Sequence, residues 1–212
     1  MKLTVLFVIL FLLSSCAQQI QRESDGLQSL KQQELSKIPA YWELSGRISI
    51  IHNQENWHAR FYWEKQTNRF QLRFTGPLGE THLLLEQELI EQELFLPEKL
   101  IKNTLRIDND VYISYGNVED LLAEHSDIVI PLNSLQYWIF GRYNPQYPQQ
   151  IKMISIDKSL DVIDELFQQD WKIQFSRYEQ QPTASYPAKI IAKDGEYSIK
   201  VFVSSRRFNL NK

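Results

Sequence analysis

Cysteine is nearly absent from this chain: there is one, Cys16, among 212 residues. One cysteine excludes an internal disulfide. The four histidines (52, 58, 82 and 125) show no metal-ligand spacing and have no cysteine cluster to join, so no zinc site is expected. Glycine is also scarce, at 7 residues, and no phosphate-binding loop, dinucleotide fingerprint or Gly-x-Ser-x-Gly elbow occurs. The glutamates between 86 and 93 form a solvated run, not a positioned acid–base pair. A protein that is not an enzyme and uses no cofactor is the expectation. Positive charge is not in excess either. Lys and Arg number 23 against 26 Asp and Glu, a net charge of −3, which offers no electrostatic case for nucleic acid. Finally, no apolar run reaches the ~20 residues that a membrane-spanning helix needs.

The longest apolar run does carry information. Leu3 to Leu13 is broken only by Thr4 and follows Met1-Lys2, the pattern of a signal-peptide core. It ends in Leu13-Ser14-Ser15-Cys16, which resembles the lipobox of bacterial lipoproteins. That resemblance implies cleavage before Cys16 and acylation of its thiol, with palmitate-type chains as the anchor. Ala17 follows, where the sorting rule of such lipoproteins reads aspartate as inner-membrane retention, so export to the outer membrane is implied. The expected organisation is a signal peptide over 1–15, the lipidated cysteine with a Gln-, Ser-, Glu- and Lys-rich tether over 16–38, and a globular domain over 39–212.

Strand patterns dominate that domain. Trp57, Ala59, Phe61 and Trp63 alternate with His58, Arg60, Tyr62 and Glu64; Phe70, Leu72 and Phe74 alternate with Gln71, Arg73 and Thr75. Later, Trp171, Ile173 and Phe175 repeat the pattern. Hairpin turns are expected at "KQTN", at Asp108-Asn109-Asp110 and at Asp194-Gly195. Strands linked by tight turns imply an antiparallel meander. Three helices are expected: one capped by Asn117, one carrying Leu135, Trp138 and Ile139 and stopping at Gly141, and one across 157–169 with Leu160, Ile163 and Phe167 in register. The stretch 81–87 reads as a strand, and 88–102 stays open between strand position and helix-favouring Leu, Glu and Gln.

Gly76-Pro77-Leu78-Gly79 poses the sharpest question. Pro suits the second position of a type I turn and Gly the fourth, which leaves a leucine on a tip that normally faces water. A second unusual feature is the aromatic content, 5 Trp, 10 Tyr and 11 Phe. The apolar strand faces bearing Trp57, Phe61, Trp63, Phe70, Leu72 and Phe74, with Trp138 on a helix, either close as a dry core or line an apolar cavity. Periodicity does not separate the two.

"YWELSGRISI", "NWHARFYWEK", "RFQLRFTGPLGETHLLL", "DWKIQFSRY" and "YPAKIIAKDGEYSIKVFV", behind a lipobox, together resemble the LolB family of outer-membrane lipoprotein receptors. The resemblance covers about Pro39 to Phe208 and is weakest over 88–116. It implies a mainly β fold with a few helices: an incomplete antiparallel β-barrel with a helical lid over an apolar cavity. It also implies a function without ATP. A periplasmic LolA-type carrier hands over a lipoprotein, the cavity takes its acyl chains, and the cargo enters the inner leaflet of the outer membrane. By the same resemblance Leu78, on the turn of Gly76, Pro77 and Gly79, matches a protruding leucine needed for delivery. A monomer anchored on the periplasmic face is implied. Two other readings remain open: an outer-membrane assembly or structural lipoprotein with a protein partner, and a carrier of some other hydrophobic ligand.

Overall fold

The computed structural model describes residues 38–90, 100–126, 128–157, 159–160, 162–181 and 184–208. The expected signal segment, Cys16 and the tether as far as Lys37 lie outside these residues, as do 91–99 from the stretch left open.

The described residues form eleven strands in one sheet: β1 (Trp42–His52), β2 (Glu55–Lys65), β3 (Arg69–Thr75), β4 (Thr81–Ile90), β5 (Leu100–Ile107), β6 (Asp110–Ser114), β7 (Ile151–Asp157), β8 (Val162–Gln168), β9 (Trp171–Gln180), β10 (Ser185–Lys193) and β11 (Tyr197–Phe208). Their order is β6-β5-β4-β3-β2-β1-β11-β10-β9-β8-β7, antiparallel throughout. Two meanders therefore meet where the first strand pairs with the last, and the sheet stays open between β6 and β7. Alternation decides which face is apolar. Trp42, Leu44, Ile48 and Ile50 of β1 are buried beside Ile199, Val201 and Val203 of β11.

Between the two meanders lie α1 (Val118–His125) and α2 (Leu132–Trp138). The Asn117 side chain accepts a hydrogen bond from Glu119 N–H at 3.0 Å and starts α1 where a cap was expected. Beyond α2 the Gly141 N–H donates to Trp138 O at 2.8 Å, and Gly141 has φ +67°, a left-handed stop. Buried Val118, Leu121 and Leu122 of α1, with Leu132, Leu135 and Trp138 of α2, cover the apolar face. The sheet curls to meet them. Strands about 4.8 Å apart would place β2 and β9 about 19 Å apart in a flat sheet. Yet α2 reaches both: Lys65 Nζ at the end of β2 donates to Gln136 Oε1 at 2.8 Å, and Trp138 packs on Trp171 of β9 with ring centroids 6.0 Å apart. An incomplete antiparallel barrel with a two-helix cover is the result, in agreement with the implied fold.

One local expectation changes, and part of one open stretch takes shape. The helix expected over 157–169 is a hairpin arm instead: Asp157 ends β7, and Val162–Gln168 is β8. Asp157 Oδ1 accepts from Ser159 N–H at 2.9 Å and from its hydroxyl at 2.6 Å, a local turn that stops helical winding. β8 is then fixed from both sides, Leu166 opposite Ile173 of β9 and opposite Ile154 of β7. Ladder pairing on two edges overrides the i, i+3, i+4 spacing. In the stretch left open, β4 continues to Ile90 and β5 begins at Leu100. The helix-favouring Leu, Glu and Gln of β4 become strand because β3 and β5 flank them.

Candidate functional site

The turn after β3 holds itself together through its backbone. Gly79 N–H donates to Gly76 O at 3.1 Å, and Gly76 N–H donates to Glu80 O at 2.9 Å. Gly79 has φ +90°, a conformation glycine adopts without steric cost. At Gly76 a side chain would meet the outer ends of Glu80 and His82, two partly exposed groups with room to swing aside, whose Oε1 and Nε2 lie 3.2 Å apart against the turn. Pro77 fixes its own φ. Nothing in this construction uses the side chain of Leu78, which is 96% exposed. An exposed leucine forgoes about 1.5–3 kcal/mol of burial.

Directly behind the turn the apolar face begins. Phe74 is buried, and the half-buried Trp57 meets it edge-on at 5.1 Å. Register then brings the β2 and β3 aromatics together, Phe61 opposite Phe74 and Trp63 opposite Leu72. Phe61, Trp63, Phe70, Leu72 and Phe74 are all buried on this side. At the end far from Leu78, Trp63 lies edge-on to Trp42 at 5.3 Å and to Phe70 at 5.6 Å, and Trp42 meets Phe140 at 5.4 Å. The indole N–H groups of Trp42 and Trp63 are buried and, among the described residues, have no acceptor. Trp138 enters from α2, fully buried, and donates through Nε1 to Gln168 Oε1 at 3.2 Å. The structure thus brings the sequence-derived apolar set to one face, with Trp57 at its more open end.

A cavity of about 260 Å³ lies at the seam between this face and the helices; most of its lining residues are polar, with Lys65, Asn68, Arg69, Glu88 and Gln136 beside the apolar Val118 and Leu132, and of the sequence-derived apolar set Phe70 alone is in its wall. Burial holds the Lys65 ammonium below the ordinary lysine range. Burial also pushes the Glu119 carboxyl above the ordinary glutamate range, opposed by the hydrogen bond it accepts from Asn133 N–H at 2.7 Å. That bond ties α1 to the start of α2. A buried polar hub fastens α2 to the sheet. Gln168 Oε1 accepts from Asn144 N–H at 2.9 Å, Gln168 Nε2 donates to Asn144 O at 2.8 Å, and Asn144 Nδ2 donates to Asn133 O at 3.0 Å. Sequence reasoning missed this hub, because Asn144 and Gln168 belong to no motif and meet only through the fold. Among the described residues no group of three or more His, Cys, Asp or Glu side chains could hold a metal ion.

Comparison with known proteins fits this arrangement. The family model described as "Outer membrane lipoprotein LolB" matches residues 40–205. A protein named Outer-membrane lipoprotein LolB from Shewanella woodyi is 27% identical over 96% of this chain and 87% of its own length. One of the same name from a Marinomonas species is 26% identical over 77% of this chain and 78% of its own. Among solved structures, a DUF1329 family protein from Desulfovibrio piger superposes with a TM-score of 0.52 at 9% identity, covering 89% of this chain and 94% of that one. At that identity the likeness concerns the fold alone.

Proposed function

The chain belongs to the LolB family, and on that premise we propose how it works as an outer-membrane lipoprotein receptor. Acyl chains of a lipoprotein leave a LolA-type periplasmic carrier and enter the space between the curled sheet and the two-helix cover. Each methylene moved from water into an apolar site is worth about 0.8 kcal/mol, so the chains never travel bare. Carrier, receptor and bilayer form a series of rising affinity. Only the differences between them drive transfer, and nucleotide has no part.

The cavity at the helix seam, about 260 Å³, is below the roughly 300–1,000 Å³ of ordinary ligand pockets. Acyl chains therefore enter as α1 moves outward, while α2 stays pinned by the Gln168–Asn144 hub. Phe61, Trp63, Phe70, Leu72, Phe74 and Trp138 supply the lining, and the unpaired indole N–H groups of Trp42 and Trp63 offer donors to an ester carbonyl. Cys16 carries the acyl anchor, the polar segment to residue 38 is the tether, and residues 39–212 face the periplasm.

The observation that carries this reading is Leu78, exposed on a backbone-locked turn next to the apolar face. Its burial energy is too small to anchor the protein but suffices to seat the turn in the bilayer as cargo leaves. Leu78→Glu is expected to fold, accept a labelled lipoprotein from the carrier and fail to pass it to vesicles. Normal delivery by that variant would remove Leu78 from the mechanism.

A further inference from the structure

On the sheet face turned away from the helices, a groove of about 470 Å³ runs beside the Leu78 turn, and Pro77 of that turn is part of its wall. Its other lining residues include Arg47, His58, Arg60, Lys200 and Phe202. Register explains the convergence. Arg47 of β1 stands opposite Arg60 of β2 and opposite Phe202 of β11, while Ser49 stands opposite both His58 and Lys200. Like charges directly opposite one another on adjacent strands are destabilising. Some cations elsewhere on the sheet find acids, as where Arg69 and Arg106 both converge on Glu86 and Lys172 meets Glu165 at 3.1 Å, while Arg73, Lys102 and Lys193 have none among the described residues. Arg47, Arg60 and Lys200 are exposed and, among the described residues, have no acidic partner. Two further cations border the groove, since Arg177 and Lys189 each lie 5.9 Å from the centre of the Phe202 ring.

A chain with a net charge of −3 thus gathers cations around one groove, over an aromatic floor, beside its exposed leucine. We propose that this groove seats the phosphate head of a membrane glycerophospholipid, with Arg47, Arg60 and Lys200 binding the phosphate and Phe202 and Pro77 packing on the glycerol and upper chain. Guanidinium groups match phosphate oxygens in geometry as well as charge. A lipid-modified cysteine carries no phosphate, so the ligand is a lipid of the bilayer and not the cargo. The inference deepens the receptor reading and rests on it. Headgroup capture next to the turn holds Leu78 against the membrane while the acyl chains leave the other face.

The test titrates the full chain with dihexanoyl phosphatidylglycerol below its critical micelle concentration, with no carrier or lipoprotein present. Saturable binding is expected, weakened by added salt and reduced at least about tenfold in Arg47→Gln/Arg60→Gln, since hydrogen bonds between charged groups are the strong ones. Removing two opposed like charges should leave that variant folded, which its unfolding midpoint checks; Lys200→Gln, tested alone, repeats the measurement at a position with no such opposition. Equal binding of uncharged dihexanoylglycerol, or unchanged affinity in the folded variants, would overturn the proposal. Binding of inorganic phosphate as tight as that of the lipid would make the groove a free-anion site and overturn it too. Headgroup binding by a chain that takes no lipoprotein would count against the receptor reading alone. Lipoprotein transfer by a chain that binds no headgroup would count against this inference alone.

Discussion

Leu72 and Leu78 lie six positions apart, and their environments could not differ more: one is 2% exposed inside the sheet, the other 96% exposed on the turn. Leu72→Ala should therefore cost about 2–5 kcal/mol in denaturant unfolding, as buried leucine truncations do. Leu78→Ser should stay within about 0.5 kcal/mol of the parent. A large loss from Leu78→Ser would mean that the side chain supports the turn, which the backbone hydrogen bonds of Gly76 and Gly79 leave no need for. The turn was readable in advance because its logic is local: proline and glycine at fixed turn positions dictate the shape, and leucine has no part in it. The alternation that marked Trp57, Phe61, Trp63, Phe70, Leu72 and Phe74 was readable for the same reason, since a strand sends successive side chains to opposite faces. The meeting of Arg47, Arg60 and Lys200 was not. It needs the register of β1 against both β2 and β11, and β11 arrives some 150 residues later in the chain.

Among the elements, the strands declared themselves and the helical cover was only partly visible. Asn117 and Gly141 marked the start of α1 and the end of α2, because caps are written in single residues. β8 hid behind a helical spacing of Leu160, Ile163 and Phe167, and its closing turn uses Gln169-Asp170 in left-handed conformations, φ +54° and +64°, in place of the usual Asn-Gly. The contact between α1 and α2 makes a pH prediction. Glu119 is held above the ordinary glutamate range by burial, so the folded chain binds that proton more tightly than the unfolded one. Its contribution to stability is then greatest below the ordinary glutamate range and declines as pH rises through the raised value. Glu119→Gln keeps an acceptor for Asn133 N–H and removes the buried charge. Unfolding of this variant should lose that acid-range decline and match or exceed the parent near neutrality; an unchanged profile would place the titration elsewhere. Motion of α1 can be tested at its C-terminal end, where His125 stacks on Tyr112 of β6 with ring centres 3.8 Å apart. In a Cys16→Ser background, which has no other cysteine, a short bismaleimide link between Tyr112→Cys and His125→Cys should stop lipoprotein uptake. Full uptake by the linked protein would show that the cover need not lift there.

For the molecule as a whole, the decisive feature is that the sheet does not close. Two antiparallel meanders share one seam, β1 against β11, and their outer strands β6 and β7 remain apart with two short helices between them. A closed barrel admits a ligand through its ends; an open one with a separate cover can also admit it by moving the cover. The pairing of the first strand with the last was beyond the reach of periodicity, which orders neighbours along the chain and not across it. One face then holds the buried aromatic side chains and the other the cationic groove, with the Leu78 turn beside both. In the proposed mechanism lipid cargo moves downhill onto this fold. A LolA-type carrier preloaded with a labelled lipoprotein, shown beforehand to deliver to a known receptor, is mixed with the protein in the absence of nucleotide. Repurification then shows which protein carries the label. The label is expected to leave the carrier and co-purify with this protein; a label that stays on the carrier would show that no such transfer takes place.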